Sequence, residues 1–397
     1  MADSVLILGG GIIGLACAFE ASERGYRVTV LEAGEPGGQA SGAAAGMLAP
    51  FSENPDQPDD FFRLSLDSLH RYPSWLAAIE EASGMKIEWL PSGSLNIVYH
   101  EADIEPLRTR VDWHNRFGAA AEIVDAAALR KLEPMLSHDV RAAVRYPHES
   151  HVYAPALVAA LERACLNRGV RIVSMTGGTR EVSAAPESVE VETERQGRFA
   201  ADRLIVCTGA WSGAFERWFG LPIPVHPIRG QICAYPVPVG AVWHIVVSSQ
   251  AYWTAKGNGT LVCGASEDVA GFDTAVTERG IGRLARWGPR AFPMLADLPL
   301  IHRWAGLRPA TRDGMPLIGR LAELANVLLA TGHYRNGILL APATAAAVGA
   351  LLDGRPAPVR LTAFAPERFA GSGSGIGNGI GGTLVGSTAA AAMTGGD

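Results

Sequence analysis

Residues 4–32 read SVLILGGGIIGLACAFEASERGYRVTVLE. Residues 4–8 are a short apolar run of strand type. Residues 12–24 carry helical spacing, with Gly25 as a stop signal, and 26–31 form a second strand. Strand, helix and strand in that order make a βαβ unit, which implies a parallel sheet. At the first turn, Gly9-Gly10-Gly11-Ile12-Ile13-Gly14 fits G-x-G-x-x-G. Gly9 permits the tight turn, Gly11 lets the backbone approach a pyrophosphate, and Gly14 lets helix and strand pack closely. The helix N-terminus offers free N–H groups and a positive dipole end to phosphates. Glu32 closes the second strand, near the place of an acid that grips ribose hydroxyls. A glycine-rich turn that binds nothing needs none of these companions. Together they point to a dinucleotide.

Working outward, residues 37–50 read GGQASGAAAGMLAP, a second run of tiny side chains. Such a loop allows close backbone approach to a large flat ligand, whereas an NAD domain would continue with regular βα alternation. This favours FAD. Further along, helix 154–168, strand 170–174 and strand 203–207 extend the same sheet. Strand 327–331 and helix 337–352, stopped near Gly354 and Pro356, do likewise. Segments 95–99, 231–235, 251–256 and 260–264 read as strands of a more antiparallel sheet. Asn258-Gly259 signals a type I′ hairpin turn between the last two, since both its central positions need positive φ.

The expected fold class is α/β: an FAD-binding Rossmann-like domain with an inserted α+β substrate domain carrying a mainly antiparallel sheet. The FAD-binding part comprises 1–84, 150–215 and 301–365, and the substrate part 85–149 and 216–300. A flexible Gly/Ser/Ala-rich tail covers 366–397. Ligands in such proteins tend to sit between the domains.

Composition narrows the function. Hydrophobic residues are 48% and charged residues 19% of 397, which suits a buried core and excludes a disordered chain. The net charge of −6 and the lack of any Lys/Arg run argue against nucleic acid. Five scattered cysteines without a C-x-x-C pair read as buried free thiols of a reducing compartment. Residues 1–8 pass straight into a strand pattern without a basic stretch, against a secretory signal. The run 338–352 is too short for a bilayer and contains Pro342. These readings give a cytoplasmic protein without stable membrane association. No His/Cys/Asp/Glu set has ligand spacing, so no metal is expected. Asp56, Asp59 and Asp60 read as a solvated loop around Pro55 and Pro58.

With these stretches in view, the chain resembles the D-amino-acid oxidase superfamily of flavoenzymes, and within it the bacterial glycine oxidases of the thiamine thiazole pathway. The likeness is carried by Gly9–Gly14, by 41–50, by Thr208-Gly209-Ala210-Trp211-Ser212, by WAGLRPATRDGMPLIG at 304–319 and by TGHYRNGILLAPAT at 331–344. It implies FAD. In such enzymes Glu32, followed by Ala33, takes the ribose, and Ile12 and Ile13 lie beside the phosphates. Ala40 and Ser41 follow on the cofactor path, and Ala45, Gly46 and Met47 border the flavin ring. The closing loop runs through His333, Tyr334, Arg335, Asn336, Gly337, Ile338 and Leu339. A backbone contact to adenine falls at Gly178. Some sarcosine oxidases attach flavin through a cysteine near the 308–319 equivalent. No cysteine follows Cys263 here, so the flavin is expected to be noncovalent.

The resemblance also implies an amino-acid substrate, whose carboxylate needs a partner. A guanidinium fork matches a carboxylate with two parallel hydrogen bonds, and Arg308 and Arg335 are the candidates. Arg308 follows strand 302–307, and the family uses this position as the carboxylate anchor. Arg335 sits at the turn before the last helix. Tyr252, on one strand face with Thr254 and Lys256, adds a hydroxyl in the family. The N-terminus of the last helix can stabilise charge developing on the flavin. His333 and His302 are read as structural. The implied reaction is direct hydride transfer from the α-carbon of glycine, sarcosine or a small D-amino acid to flavin. Oxygen is then reduced to hydrogen peroxide. A homo-oligomer, a tetramer by resemblance, is expected. Glu267 departs from the pattern, for glycine oxidases often place an apolar side chain there. Two rival readings are a D-amino-acid dehydrogenase passing electrons to a quinone, and a non-catalytic FAD-binding interaction protein.

Overall fold

The structure, a computed structural model, describes residues 3–54 and 58–370. Its first layer is a six-stranded sheet in the order Leu317–Arg320, Val327–Thr331, Arg203–Val206, Ser4–Leu8, Arg27–Leu31, Arg171–Val173. All neighbours are parallel except the first pair. The βαβ reading therefore holds, with the helix at Ile12–Glu23. Strands of this sheet are buried on both faces, as parallel strands covered by helices must be. The helices Ile12–Glu23, Ala154–Asn167, Asp60–Ser83 and Gly337–Leu352 pack together on one side. A three-stranded meander, Thr179–Ala185, Ser188–Thr193 and Gly197–Ala201, contributes to the apolar cluster on the other side.

The second layer is an eight-stranded sheet. Its order is His302–Thr311, Val225–Pro236, Thr260–Gly264, Tyr252–Lys256, Ile245–Val247, Ser94–Val98, Ala142–Tyr146, Glu122–Asp125. One pair, Ile245–Val247 with Ser94–Val98, is parallel and the rest are antiparallel. His302–Thr311 pairs with Val225–Pro236 along ten residue pairs. That strand lies in the substrate sheet, although the sequence boundary at 301 assigned it to the other part. It also runs through Arg308 instead of ending before it. Pro309 is tolerated because the strand is at the sheet edge, where a missing N–H breaks no ladder bond. Trp253 fills the core behind the sheet while Tyr252 faces the opposite way, as period two requires.

The hairpin forms where expected, but its turn differs. Lys256 pairs with Thr260, so the loop holds three residues, and Gly259 N–H donates to Lys256 C=O at 3.1 Å. Gly259 has φ +81°, whereas Asn258 keeps negative φ. A three-residue loop closes with one left-handed glycine, so type I′ geometry is not needed.

Two further readings change. Asp59 is the N-cap of the helix Asp60–Ser83, accepting from Phe62 N–H at 2.7 Å. Asp56 and Pro55 lie outside the described residues. Pro366–Phe369 forms a turn whose Phe369 is buried, and Arg368 grips Asp313 at 2.8 and 3.1 Å. The expected tail thus begins no earlier than 371, and 371–397 lie outside the described residues. All five cysteines are buried free thiols.

Pro342 lies inside the last helix and cannot donate to the carbonyl of Ile338. Tyr72 supplies the missing donor, its hydroxyl bonding Ile338 C=O at 2.5 Å. Ser68 donates to Leu339 C=O at 2.6 Å from the same helix. The helix Asp60–Ser83 therefore satisfies the carbonyl stranded beside the N-terminal end of Gly337–Leu352.

Candidate active site

One continuous cavity of about 670 Å³ runs along the C-terminal ends of the parallel strands into the space beneath the eight-stranded sheet. Open parallel sheets bind ligands at that edge. At one end it is lined by Thr176–Thr179 and Thr193. Its middle is lined by Gly9, Gly11, Ile12, Ile13, Glu32, Ala33, Ala40 and Ser41. It reaches Ala45, Gly46 and Met47, and then Tyr252, Arg308 and the loop from His333 to Ile338.

The glycine turn is built tightly. Gly9 has φ +102°, and a Cβ there would lie 2.4 Å from Cys207 O on the neighbouring strand. Glu32 spans the turn, accepting from Gly10 N–H at 2.6 Å and Gly34 N–H at 2.9 Å. Ser41 Oγ accepts from Ile12 N–H at 2.9 Å, which joins the small-residue loop to the helix N-terminus. The helices at Ile12 and Gly337 both begin without an N-cap side-chain bond, and both face the cavity. Two helix N-termini without an N-cap side chain, a glycine-lined wall and the elongated shape fit FAD.

Two expected cofactor positions, Gly14 and Leu339, fall outside the cavity lining, and the packing role read for Gly14 is the one it plays. Gly14 does not line the cavity: a Cβ there would lie 1.9 Å from Gly9 O, so its hydrogen serves helix–strand packing. Leu339 points into the core, 1% exposed. Gly178 lines the cavity, but both its backbone groups are engaged by Glu194. Its N–H donates to the Glu194 carboxylate at 2.9 Å and its C=O accepts from Glu194 N–H at 2.9 Å.

At the far end the arginines meet. The Arg308 guanidinium lies flat over Gly230 of the paired strand, and a Cβ at Gly230 would sit 2.5 Å from it. One nitrogen donates to Ser266 C=O at 2.8 Å. Tyr252 similarly crosses Gly264, where a Cβ would meet its hydroxyl at 2.3 Å. Burial raises the Tyr252 phenol to about 12, with Arg308 and Arg335 opposing, so it remains a neutral donor. Arg335 lies 3.7 Å from Glu53 and 3.3 Å from Glu267, and Tyr334 Oη donates to Glu267 at 2.9 Å. Glu53 first, then Glu267, hold the half-exposed Arg335 guanidinium charged more firmly than usual, against its partial desolvation. His333 is buried against Thr344 Oγ1 at 3.0 Å, and burial lowers its pKa to about 3. It is a neutral structural residue. His302 is exposed and stacks on Trp304, with ring centroids 5.0 Å apart.

Glu53 is the site residue that the sequence reading missed. Its loop is fixed by buried Glu149, which accepts from Phe51 N–H at 2.7 Å, Ser52 N–H at 2.8 Å, Ser94 Oγ at 2.5 Å and Ser52 Oγ. Burial pushes the Glu149 carboxyl up to about 7, against these donors. An acid in a polar loop near prolines carries no local signal. Lys256 was placed on the right face, but its task was not legible. Its ammonium reaches Ala45 C=O at 2.7 Å, Val152 C=O at 3.0 Å and His151 Nδ1 at 3.2 Å, bracing the Ala45–Met47 wall. Among the described residues no helix is long and apolar enough to cross a membrane. Among them, too, no His/Cys/Asp/Glu group is placed to hold a metal ion.

A glycine-lined dinucleotide groove thus runs on to two guanidinium groups. Residues 4–351 match the family described as FAD dependent oxidoreductase, and the chain belongs to that family. It is 35% identical to the bifunctional protein ThiO/ThiG of Synechocystis sp., covering 92% of this chain and 54% of that one. The chain thus spans about half the length of that relative. With the glycine oxidase of Geobacillus kaustophilus it shares 30% identity over 92% of this chain and 97% of that one. The crystal structure of glycine oxidase from Geobacillus kaustophilus superposes with a TM-score of 0.87 at 29% identity, covering 92% and 99% of the two chains.

Proposed function

We propose that the protein oxidises glycine, and with it sarcosine and small D-amino acids, to the imine and thence the 2-oxo acid. Oxygen is reduced to hydrogen peroxide. The observation that carries this reading is that Arg308, Arg335 and Tyr252 line the same cavity as the glycine turn. The glycine oxidase relative and the ThiO/ThiG relative support it, and suggest that the glycine imine supplies thiamine thiazole synthesis.

When bound, FAD would supply the hydride acceptor and the route by which electrons reach oxygen. The rest is done by the chain. Glu32 and Ala33 hold the ribose, and Ile12, Ile13, Ala40 and Ser41 line the phosphate path. Ala45, Gly46 and Met47 border the ring, and no covalent link is invoked. Arg308 and Arg335 grip the substrate carboxylate, and the Tyr252 hydroxyl adds a third donor. The α-carbon is thereby aimed at the ring, so catalysis rests mainly on orientation. Asn336 and Gly337 present helix N–H groups where negative charge develops. No side chain is assigned as base, and the amine enters unprotonated. We further assign the protein to the cytoplasm as a homo-oligomer, which light scattering on the purified chain reads.

A panel of glycine, sarcosine, D-alanine and D-proline, read by peroxide release under air, tests this reading. Glycine turnover with stoichiometric peroxide is expected. Turnover only with an added quinone would instead support a dehydrogenase.

A further inference from the structure

Glu267 lies beside the cavity, against its lining residues Tyr334 and Arg335, on a backbone that is firmly held. Ser266 N–H donates to Gln231 C=O at 3.1 Å, and Gln231 N–H returns a bond to Ser266 Oγ at 3.0 Å. Asp268 and Arg229 exchange both backbone bonds at 2.9 Å. From this fixed stem one oxygen of Glu267 accepts from Tyr334 Oη and from Arg335. On the other side of the same guanidinium lies Glu53, 12% exposed.

Around the substrate-carboxylate position two guanidinium groups therefore face two carboxylates, and their formal charges sum to zero. A substrate carrying one carboxylate and a neutral amine leaves the cluster at −1. A second acidic group would leave it at −2, and that group would compete with Glu267 for Arg335. Near a partly buried site a neighbouring unit charge weighs far more than in bulk water. We propose that Glu267 is a specificity-determining residue that excludes substrates with a second acidic group, confining the site to monocarboxylic amino acids. The inference rests on the reading above, that the substrate carboxylate sits between Arg308 and Arg335.

The test uses dead-end ligands on the FAD-loaded protein, so it needs no turnover. Butyrate and malonate are similar in length and differ by one carboxylate. Each is titrated against the flavin visible spectrum to give a Kd. In Glu267→Gln and Glu267→Ala the ratio of malonate Kd to butyrate Kd should fall about tenfold, the effect of one nearby charge. Glu267→Asp should keep the wild-type ratio. A ratio unchanged in both neutral variants overturns the proposal. Glycine oxidation with an unchanged ratio sinks the role of Glu267 alone. A falling ratio in a protein that oxidises no glycine sinks the proposed substrate and leaves the charge filter standing.

Discussion

The backbone N–H of Tyr334 donates to the carbonyl oxygen of Pro309 at 2.9 Å. This bond ties the loop carrying Arg335 to the strand carrying Arg308. The edge position of His302–Thr311 leaves that carbonyl free for a partner outside the sheet. Tyr334 itself adopts φ +48°, a left-handed conformation that costs a non-glycine residue on the order of 1 kcal/mol. Strain of this kind collects where a loop must aim a side chain. Here it fixes the loop of Arg335 beside the strand of Arg308.

Arg308→Ala should raise KM for glycine steeply while FAD stays bound. Truncating one member of a hydrogen-bonded charge pair costs roughly 2–4 kcal/mol, so kcat/KM should drop by about two orders of magnitude. Steady-state peroxide assays and the flavin-to-protein absorbance ratio measure both. Unaltered kinetics would remove Arg308 from the site.

Gly230→Ala probes the same anchor from beneath. The added Cβ would sit 2.5 Å from the Arg308 guanidinium, which must move. Carboxylate binding should weaken about tenfold or more, as for a lost charge-assisted hydrogen bond. FAD content should hold, because Gly230 makes no part of the phosphate turn. Wild-type butyrate affinity in this variant would count against the geometry.

The βαβ unit and the last helix were legible because each rests on local spacing that tertiary context did not override. Gly337–Leu352 was read to the residue despite Pro342. What repairs that proline, Tyr72 on a distant helix, could not be read locally. The helix Asp60–Ser83 itself was hidden by Pro73 inside it and by the prolines before its Asp59 cap. Glu53, Lys256 and the Glu194 contacts of Gly178 are long-range pairings. Leu339 and Gly14 sat inside true motifs, yet which motif positions face the ligand depends on packing.

Tyr72→Phe should destabilise the fold by about 1–3 kcal/mol, because the buried Ile338 carbonyl then lacks any donor. Urea unfolding, with its midpoint lowered at unchanged slope, checks this. An unchanged midpoint would mean that another group satisfies the carbonyl.

Acid stability follows from three buried histidines. Burial lowers His114 to about 4, His151 to about 2 and His333 to about 3. Each takes a proton near pH 6.5 when unfolded but resists it when folded. Unfolding therefore absorbs protons below that pH. The histidine contribution is full above 6.5 and falls as pH drops toward 4, by roughly 1.4 kcal/mol per pH unit for each histidine, while Glu149, raised from 4.5 to about 7, opposes it by about one proton over that range. His333→Asn should lower the slope of stability against pH by about one proton in this window. An identical slope would show that His333 is not held neutral.

The most direct measurement is anaerobic mixing of the purified FAD-loaded protein with glycine, followed by air. Loss of the visible flavin absorbance, then its return with one hydrogen peroxide per flavin, is the expected result. A protein that stays colourless when offered FAD, or a yellow one that no small amino acid bleaches, contradicts the account.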